Sequence, residues 1–429
     1  MMGVLLLAKI GWRNLWRNPR GTLLTALALG LGLALMLISL GLLDGGHEQT
    51  IASAVRLGTG DVVIQARGYQ EAGASNALLP PQAVAATESF LRTAAMQPVV
   101  RGVSPRLLAS GLLSSAINAD GVRMMGVIPQ QERAVSLIPQ RMIAGAYLTD
   151  TQRSGVVIGA ALARKLAVKV GAKLVLMTQT LQPPDAAAAD AGGGQMQSAL
   201  LRVSGIFRTG VQAIDAHVIQ VPLTEAQTLL GVPNQVTQIA VLLNREDDSL
   251  MVAQDLRKQL MGLPVEILPW REAMPDLAQL FLLDNAFNYV MNGVILGVVG
   301  LGILNTILMR VLERRYEFGL FSALGLRPAQ LAGMVIGESL ALTTISLALG
   351  LVLGLGTEYY FAHHGLDLRW LFRSSAPATS VFDPIIYARL SLARIASSVA
   401  IVFLMATAIS LYPALKAART RLPDALKVF

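Results

Sequence analysis

Four long stretches with almost no charge constrain this sequence more than any other feature. They cover residues 21–43, 285–309, 329–357 and 395–415, and their one charged residue is Glu338, in the third. A helix needs about 20 apolar residues to cross about 30 Å of hydrocarbon, at about 1.5 Å per residue. Each stretch is long enough, so we predict four transmembrane helices. The first is too long for the core of a signal peptide, which favours a retained anchor.

The composition agrees with a membrane protein that also carries a folded polar part. Of the 429 residues, 53% are hydrophobic and 14% are charged, whereas soluble proteins carry about 25% charged residues. This composition excludes a soluble enzyme and a disordered chain. The sequence contains no cysteine, which excludes disulfides and thiolate metal sites.

The basic residues predict the orientation of the four helices. Lysine and arginine are concentrated before residue 21, in 310–328 and after residue 415. Because cytoplasmic segments collect basic residues, we expect 310–328 and the tail 416–429 in the cytoplasm, and the short loop 358–394 outside. Residues 1–20 combine apolar and aromatic residues with arginines, which predicts an amphipathic helix in the cytoplasmic interface.

Residues 44–284 are too long for a loop and predict an extracytoplasmic α+β domain between the first two helices. Short apolar or alternating runs predict strands, and longer periodic runs predict helices. The predicted strands are 61–66, 155–158, 173–178, 201–207, 217–221, 236–243 and 265–268, and the predicted helices are 160–168, 224–230 and 248–261. Residues 181–198 are rich in Ala, Gly and Pro, which predicts a mobile loop.

The sequence lacks the motifs of common catalytic and phosphate-binding sites. G-x-x-x-x-G-K-[ST], H-E-x-x-H and G-x-S-x-G do not occur, so the energy for any work that this protein does would come from another chain. Glu338 is the one charged residue inside a predicted span. Two roles are open for it: a carboxyl hydrogen-bonded to a neighbouring helix, or part of a proton or substrate relay.

The most informative motif follows the second predicted helix. Asn305 to Met309 reads NTILM, and Glu313 to Gly325 reads ERRYEFGLFSALG. Glu313 and Glu317 are four residues apart with apolar residues after them, which predicts a short amphipathic helix. Such a helix suits a groove on a cytoplasmic partner. A solvated connecting loop is the alternative interpretation.

This motif resembles the coupling region of the FtsX/MacB/LolC-LolE family of ABC transporter membrane subunits. That family shows N-T-x-L-M followed by E-R-x-x-E-[IFL]-G-[LV]-x-x-A-L-G, and every element occurs here. One helix, a large outer domain and three further helices is also the plan of that family. The segment 203–210, VSGIFRTG, is similar to the LolC/LolE branch, whereas WRNLWRNPR before the first span is similar to general FtsX-type permeases.

The resemblance implies a non-catalytic permease subunit in the bacterial inner membrane, with 44–284 in the periplasm. Its implied partners are a cytoplasmic ABC ATPase dimer and a second copy or a paralogue of the permease. No cofactor is expected in this chain, and ATP and Mg²⁺ would bind to the ATPase. The residues implied in ATPase coupling are Glu313, Arg314, Glu317, Phe318, Gly319, Leu320, Leu324 and Gly325.

The implied work is extraction or release of lipoproteins or lipids from the inner membrane, with a periplasmic acceptor as a further partner. The alternatives are an FtsX-like transducer that activates a periplasmic cell-wall hydrolase, and MacB-like efflux of peptides or macrolides. The large outer domain and the lack of a fused ATPase favour lipoprotein or lipid release. Residues expected to line a lateral access route are Leu33, Met36, Leu40, Leu277, Leu280, Phe281 and Phe287.

Overall fold

The computed structural model describes residues 19–69, 77–150, 152–181, 195–367 and 385–418. They form two compact units. The first, called the helical unit, contains the described residues of 19–48, 281–367 and 385–418. The second, called the α+β unit, contains the described residues of 49–280.

The secondary structure alternates between long helices and a strand-rich central region. The α-helices are α1 (Pro19–Leu57), α2 (Pro81–Leu91), α3 (Pro129–Val135), α4 (Ala160–Lys165), α5 (Gln212–His217), α6 (Leu223–Leu230), α7 (Ser249–Gln259), α8 (Trp270–Ala273), α9 (Pro275–Glu313), α10 (Arg315–Ala323), α11 (Pro328–His364) and α12 (Leu392–Ala418). The strands are β1 (Val62–Ala66), β2 (Val100–Ser114), β3 (Ala119–Val127), β4 (Met142–Gly145), β5 (Gly155–Gly159), β6 (Lys173–Gln179), β7 (Met196–Phe207), β8 (Val218–Pro222), β9 (Gln238–Leu243), β10 (Val265–Pro269), β11 (Leu366–Asp367) and β12 (Ile385–Ile386).

Helices α1, α9, α11 and α12 are long and apolar enough to cross a membrane, by length and composition. With an α+β unit between the first and the second of them, they confirm the predicted fold class. The core of the helical unit contains Leu33 and Leu37 of α1, Leu347 of α11 and Val402 of α12. This interior has no solvent to exclude in a bilayer, so close packing and polar contacts hold the helices together.

The four helices extend beyond the predicted spans. Helix α1 continues past residue 43 to Leu57, and α9 begins ten residues before 285, at Pro275. Helix α11 continues past residue 357 to His364, and α12 covers Leu392–Ala418 rather than 395–415. Charged residues end an uncharged run without ending a helix, and this explains the difference. The predicted domain boundaries at 44 and 284 accordingly move to 48/49 and 280/281.

Ten strands of the α+β unit form one mixed sheet in the order β10-β1-β9-β2-β3-β8-β5-β7-β4, with β6 paired to β2 and β7. Most neighbouring strands are antiparallel, whereas β3 with β8 and β5 with β7 are parallel. One apolar cluster packs α4 and α6 against the central strands. A second cluster packs α2 and α7 against β1, β9 and β10. Strand β1 follows α1 directly, and β10 leads through α8 into α9.

Several predictions for the α+β unit need correction. Strand β7 begins at Met196 and pairs with β6, so the end of the predicted mobile loop 181–198 is an ordered hairpin arm. Leu181 is buried, and residues 182–194 lie outside the described part of the chain. The hairpin of β2 and β3 was not predicted at all. The predicted strand 217–221 begins one residue later, because His217 ends α5.

Candidate functional site

Helix α10 carries the predicted coupling motif and is anchored to the helical unit by one aromatic side chain. Arg314 leaves the helical conformation, with φ −98° and ψ 17°, and separates α10 from α9. Phe318 is 2% exposed and packs in a cluster with Ile307, Val311 and Val335. The neighbouring Gly319 is also buried. The predicted amphipathic helix is therefore present, and Glu313 is the last residue of α9 rather than part of it.

Three ion pairs connect α10, the preceding Arg314 and the two flanking helices α9 and α11. We call Arg310, Arg314, Glu317 and Glu338 the Arg314 cluster. Arg314 Nη1 donates a hydrogen bond to Glu338 Oε2 at 3.0 Å, and Arg314 Nε donates one to Glu317 Oε2 at 2.8 Å. Arg310 Nη1 lies 3.6 Å from Glu338 Oε1. Glu338 thus faces two guanidinium groups in a site where all four side chains are largely buried.

The Arg314 cluster also contacts the start of α1 and an aromatic ring. Arg310 Nη2 donates a hydrogen bond of 3.3 Å to Thr22 Oγ1 on α1. The guanidinium carbon of Arg314 lies 5.6 Å from the centre of the Phe318 ring, a distance at which a cation–π attraction operates. The cluster therefore connects α1, α9, α10 and α11 at one end of the helical unit. Of the two roles open for Glu338, the contact with a neighbouring helix is the one observed.

The opposite face of α10 is apolar and exposed. Tyr316, Leu320 and Leu324 are 57%, 52% and 71% exposed, and they are spaced four residues apart. We call these three residues the α10 ridge. Gly325 follows with φ +95°, a conformation that residues with a side chain rarely adopt. This glycine turns the chain toward Pro328, the first residue of α11.

The residues predicted at a lateral access route differ in their exposure. Leu33 and Met36 are buried in the helical core, and Leu40 is half-buried beside them. In this conformation they are part of the bundle interior, and their role in a lateral access route stays a prediction. The exposed side of α1 is instead formed by leucines such as Leu31 and Leu35.

The other residues predicted at the access route also differ from one another in exposure. Phe281 is buried, and its ring centre lies 4.5 Å from that of His47. Phe287 is 68% exposed. Leu277 and Leu280 belong to the α+β unit, where Leu277 is half-buried and Leu280 is 40% exposed. Among the seven predicted residues, Phe287 and Leu280 are the exposed ones.

The sequence reasoning missed polar groups inside the helical unit. Asn292 of α9 is 5% exposed and donates a hydrogen bond of 2.9 Å to the carbonyl oxygen of Asn288. Asn288 Nδ2 lies 3.4 Å from Ser39 Oγ on α1. On α11, Glu358 is 7% exposed and packs against Gly41. Two asparagines within an uncharged span were a signal for such a contact, since amides in membrane helices bond to other helices.

A second buried ionic network lies in the α+β unit. Arg106 Nη2 and Nε donate to the two carboxylate oxygens of Glu132, at 2.9 and 3.1 Å, and both side chains are 0% exposed. Ser104 Oγ donates a further bond of 2.6 Å to Glu132. Arg106 Nη1 donates to the carbonyl oxygen of Gly58, directly after α1. The network therefore fixes the end of α1 to the sheet at β2.

Two further polar side chains, Gln220 and Tyr147, border this network. Gln220 Nε2 lies 3.4 Å from Glu132 Oε1, and the hydroxyl of Tyr147 donates a bond of 2.8 Å to Gln220 Oε1. Burial raises the pKa of the Tyr147 hydroxyl, and the nearby Glu132 charge raises it further. Tyr147 therefore stays neutral and acts as a hydrogen-bond donor. Every charged oxygen of Glu132 has a partner, as a buried carboxylate requires.

Comparison with known proteins agrees with this architecture. The family described as "MacB-like periplasmic core domain" matches residues 22–259, and "FtsX-like permease C-terminal" matches residues 289–422. The chain belongs to the FtsX/MacB family of ABC transporter permeases. It is therefore a transport component of the inner membrane, of the LolC, LolE, MacB and FtsX type.

Individual relatives are distant but cover most of the chain. The lipoprotein-releasing system transmembrane protein LolC of Xylella fastidiosa is 24% identical over 77% of this chain and 78% of its own. The corresponding protein LolE of Haemophilus influenzae is 21% identical over 81% and 80%. The macrolide export ATP-binding/permease protein MacB of Agrobacterium fabrum is 24% identical over 83% of this chain and 53% of its own. The two matched families cover most of the predicted domain 44–284 and the whole coupling motif.

Proposed function

We propose that this permease couples ATP hydrolysis on a separate cytoplasmic ATPase dimer to the release of lipoproteins or lipids from the inner membrane. The observation that carries the coupling half of this proposal is the position of the α10 ridge. An exposed apolar face of Tyr316, Leu320 and Leu324, next to a rigid ionic cluster, suits a groove of a partner protein. ATP and Mg²⁺ bind on that partner, because the 429 residues contain no Walker A motif.

Force applied at the α10 ridge has a route into the helical unit. Phe318 anchors α10 among apolar residues of α9 and α11, and Arg314 ties it to Glu338 of α11. Arg310 extends the contact to Thr22 at the start of α1. A shift of α10 on ATP binding would therefore move α1, α9 and α11 together. Because α1 and α9 lead directly into the α+β unit, their motion reaches the periplasmic side.

The proposed substrate class rests on the relatives and on the order of one membrane helix, the α+β unit and three further membrane helices along the chain. Relatives named as lipoprotein-releasing proteins match over three quarters or more of both chains. In our proposal two permeases, either identical or paralogous, face each other with their α+β units in the periplasm, where an acceptor takes the released lipoprotein or lipid. Both chain termini lie in the cytoplasm, as the distribution of basic residues favours.

The docking step can be tested by co-purification of the permease with its ATPase in detergent. Leu324→Asp places a charge on the α10 ridge, and we expect it to abolish both co-purification and permease-stimulated ATP hydrolysis. Ala329→Asp is a matched control, because it adds the same charge at an exposed position in the first turn of α11. Normal ATPase binding by Leu324→Asp would contradict the proposed docking surface.

The substrate can be tested by depletion of the permease in cells. We expect acylated lipoproteins to accumulate in the inner membrane fraction. Cells that fail to separate after division, with normal lipoprotein sorting, would instead indicate a transducer that activates a cell-wall hydrolase. Increased macrolide or peptide sensitivity with normal sorting would indicate efflux.

A further inference from the structure

Helices α1 and α11 pack along a seam of small residues. A side-chain carbon added at Gly350 of α11 would lie 2.7 Å from the carbonyl oxygen of Gly30 on α1. One added at Gly354 would lie 3.2 Å from the Cα atom of Ala34. The two backbones are therefore in direct contact, as small residues allow in membrane helices. We call this contact the α1–α11 seam.

The seam ends at a carboxylate. One turn beyond Gly354, the side chain of Glu358 lies against the backbone of Gly41, where even a methyl group would overlap its carboxylate. Glu358 is 7% exposed, and neither of its carboxylate oxygens has a hydrogen-bond partner among the described residues. An ionised carboxylate buried without a partner costs several kcal/mol.

Among the residues that the structure describes, two arginines near this end of the helical unit are paired with other acids. Arg394 of α12 lies 2.9 Å from Asp44 of α1, and Arg389 pairs with Glu48. His47 Nε2 lies 3.5 Å from Asp284 Oδ2 on α9. The backbone N–H of Arg389 donates to the carbonyl oxygen of Gly41 at 2.9 Å, so this segment closes over the seam.

This arrangement leaves Glu358 with no cation of its own among the groups described, whereas Asp44, three residues after Gly41 on α1, is paired with Arg394. Burial without a hydrogen-bond partner disfavours an ionised carboxyl. At the other end of α11, Glu338 has two arginine partners, and the contrast between the two glutamates is the basis of the inference.

We propose that Glu358 is a proton-binding site on the α1–α11 seam. The carboxyl is protonated while Gly41 packs on it, and it releases its proton to water when α1 and α11 separate at this end. Proton binding and seam closure then favour each other, because a ligand that binds one conformation shifts the equilibrium toward it. A lower pH at the Glu358 end of the seam favours the closed seam, and a higher pH favours the open one. This gives a transport cycle driven by ATP a second input that depends on pH.

Infrared spectroscopy of the full chain in lipid nanodiscs tests the protonation. We expect a band of a protonated carboxyl at neutral pH, and the loss of one carboxyl's intensity in Glu358→Gln. Glu313→Gln is the control and should leave the band unchanged, because Glu313 is exposed. Unchanged intensity in Glu358→Gln would overturn the proposal. A Glu358→Gln chain that fails to fold would also overturn it, because a neutral side chain of the same size should fit.

Cysteine labelling tests the link to seam opening. The chain has no cysteine, so Ala34→Cys, at a position 4% exposed on the seam, reports its opening to a small maleimide. Dividing its labelling rate by the rate in the Glu358→Gln background removes the intrinsic pH dependence of the thiol. We expect this ratio to rise with pH, and to stay constant for Leu35→Cys on the exposed side of α1. A constant ratio for Ala34→Cys would overturn the coupling between proton release and opening.

Discussion

Arg314 holds Glu338 and Glu317 at the same time, with donor–acceptor distances of 3.0 and 2.8 Å. Glu317 is three residues away in sequence, whereas Glu338 is 24 residues away on the next helix. One guanidinium thus fixes both the local geometry of α10 and its position against α11. A planar group with several donors can do this, whereas a lysine ammonium would lack the fixed geometry.

Loss of the Glu338 charge should weaken the attachment of α10 and with it the coupling to ATP hydrolysis. We expect Glu338→Gln to destabilise the helical unit by about 1–3 kcal/mol, between the values for exposed and fully buried pairs. A double-mutant cycle of Glu338→Gln with Arg314→Gln, measured by thermal unfolding in detergent, should give a coupling energy that shows the two side chains stabilising each other. Glu313→Gln is the control, because Glu313 is exposed. Equal effects of Glu313→Gln and Glu338→Gln would contradict the role of the Arg314 cluster.

The number and order of the membrane helices could be predicted from the uncharged runs. Which face of each helix is buried could not. Residues 21–43 of helix α1 are uncharged and mostly apolar on every side, so the sequence contains no signal that separates the buried Leu33 from the exposed Leu35. The partners of Glu338 were equally hidden, because pairing between helices depends on their packing and not on sequence spacing. The coupling motif was recognisable because its residues are close together in the sequence.

The hairpin of β2 and β3 escaped prediction for a local reason. Strand β2 contains Gly102, Pro105 and Gly111, residues that ordinarily indicate turns. Pro105 is paired with Ile239 of β9, and the register of the two strands shifts near Gly102. The long antiparallel pairing of β2 with β3 and β9 outweighs these local preferences. Tertiary pairing of this kind overrides intrinsic strand propensity.

The α1–α11 seam should tolerate no side chain at Gly350. Gly350→Ala would place a carbon 2.7 Å from the backbone of Gly30, so we expect a loss of about 1–3 kcal/mol from overpacking. Gly356→Ala on the same helix is the control. Gly356 has no neighbouring atom within 4 Å of the added carbon, so stability should stay the same or rise slightly. Thermal unfolding of both variants in the same detergent measures this difference. Similar unfolding midpoints for the two variants would show that the seam is not closely packed.

Glu132 should be among the residues of the α+β unit that are most sensitive to substitution. Glu132→Gln removes the charge that compensates the buried Arg106 guanidinium, and we expect a loss of about 3–5 kcal/mol. Asp120→Asn is the comparison, because Asp120 pairs with Lys165 at 2.7 Å on the surface. That change should cost less than about 1 kcal/mol. Denaturant unfolding of the full chain, followed by a probe in the α+β unit, separates the two, and equal losses would contradict the buried-pair argument.

The stability of the α+β unit should depend on pH through Asp61, which lies between α1 and β1. Burial raises the pKa of the Asp61 carboxyl above its ordinary 3.8, and the hydrogen bond from the Leu243 N–H lowers it in part. A raised pKa means that the folded state binds the proton more tightly, so stability falls as the pH rises from the ordinary value through the raised one. Asp61→Asn stays neutral and keeps an oxygen that accepts the Leu243 bond. We therefore expect it to unfold at a higher temperature than wild type at about pH 8, with the difference vanishing near pH 4. Asp150→Asn, at an exposed position, should show no such trend, and an Asp61→Asn difference that is equal at both pH values would contradict the effect of burial.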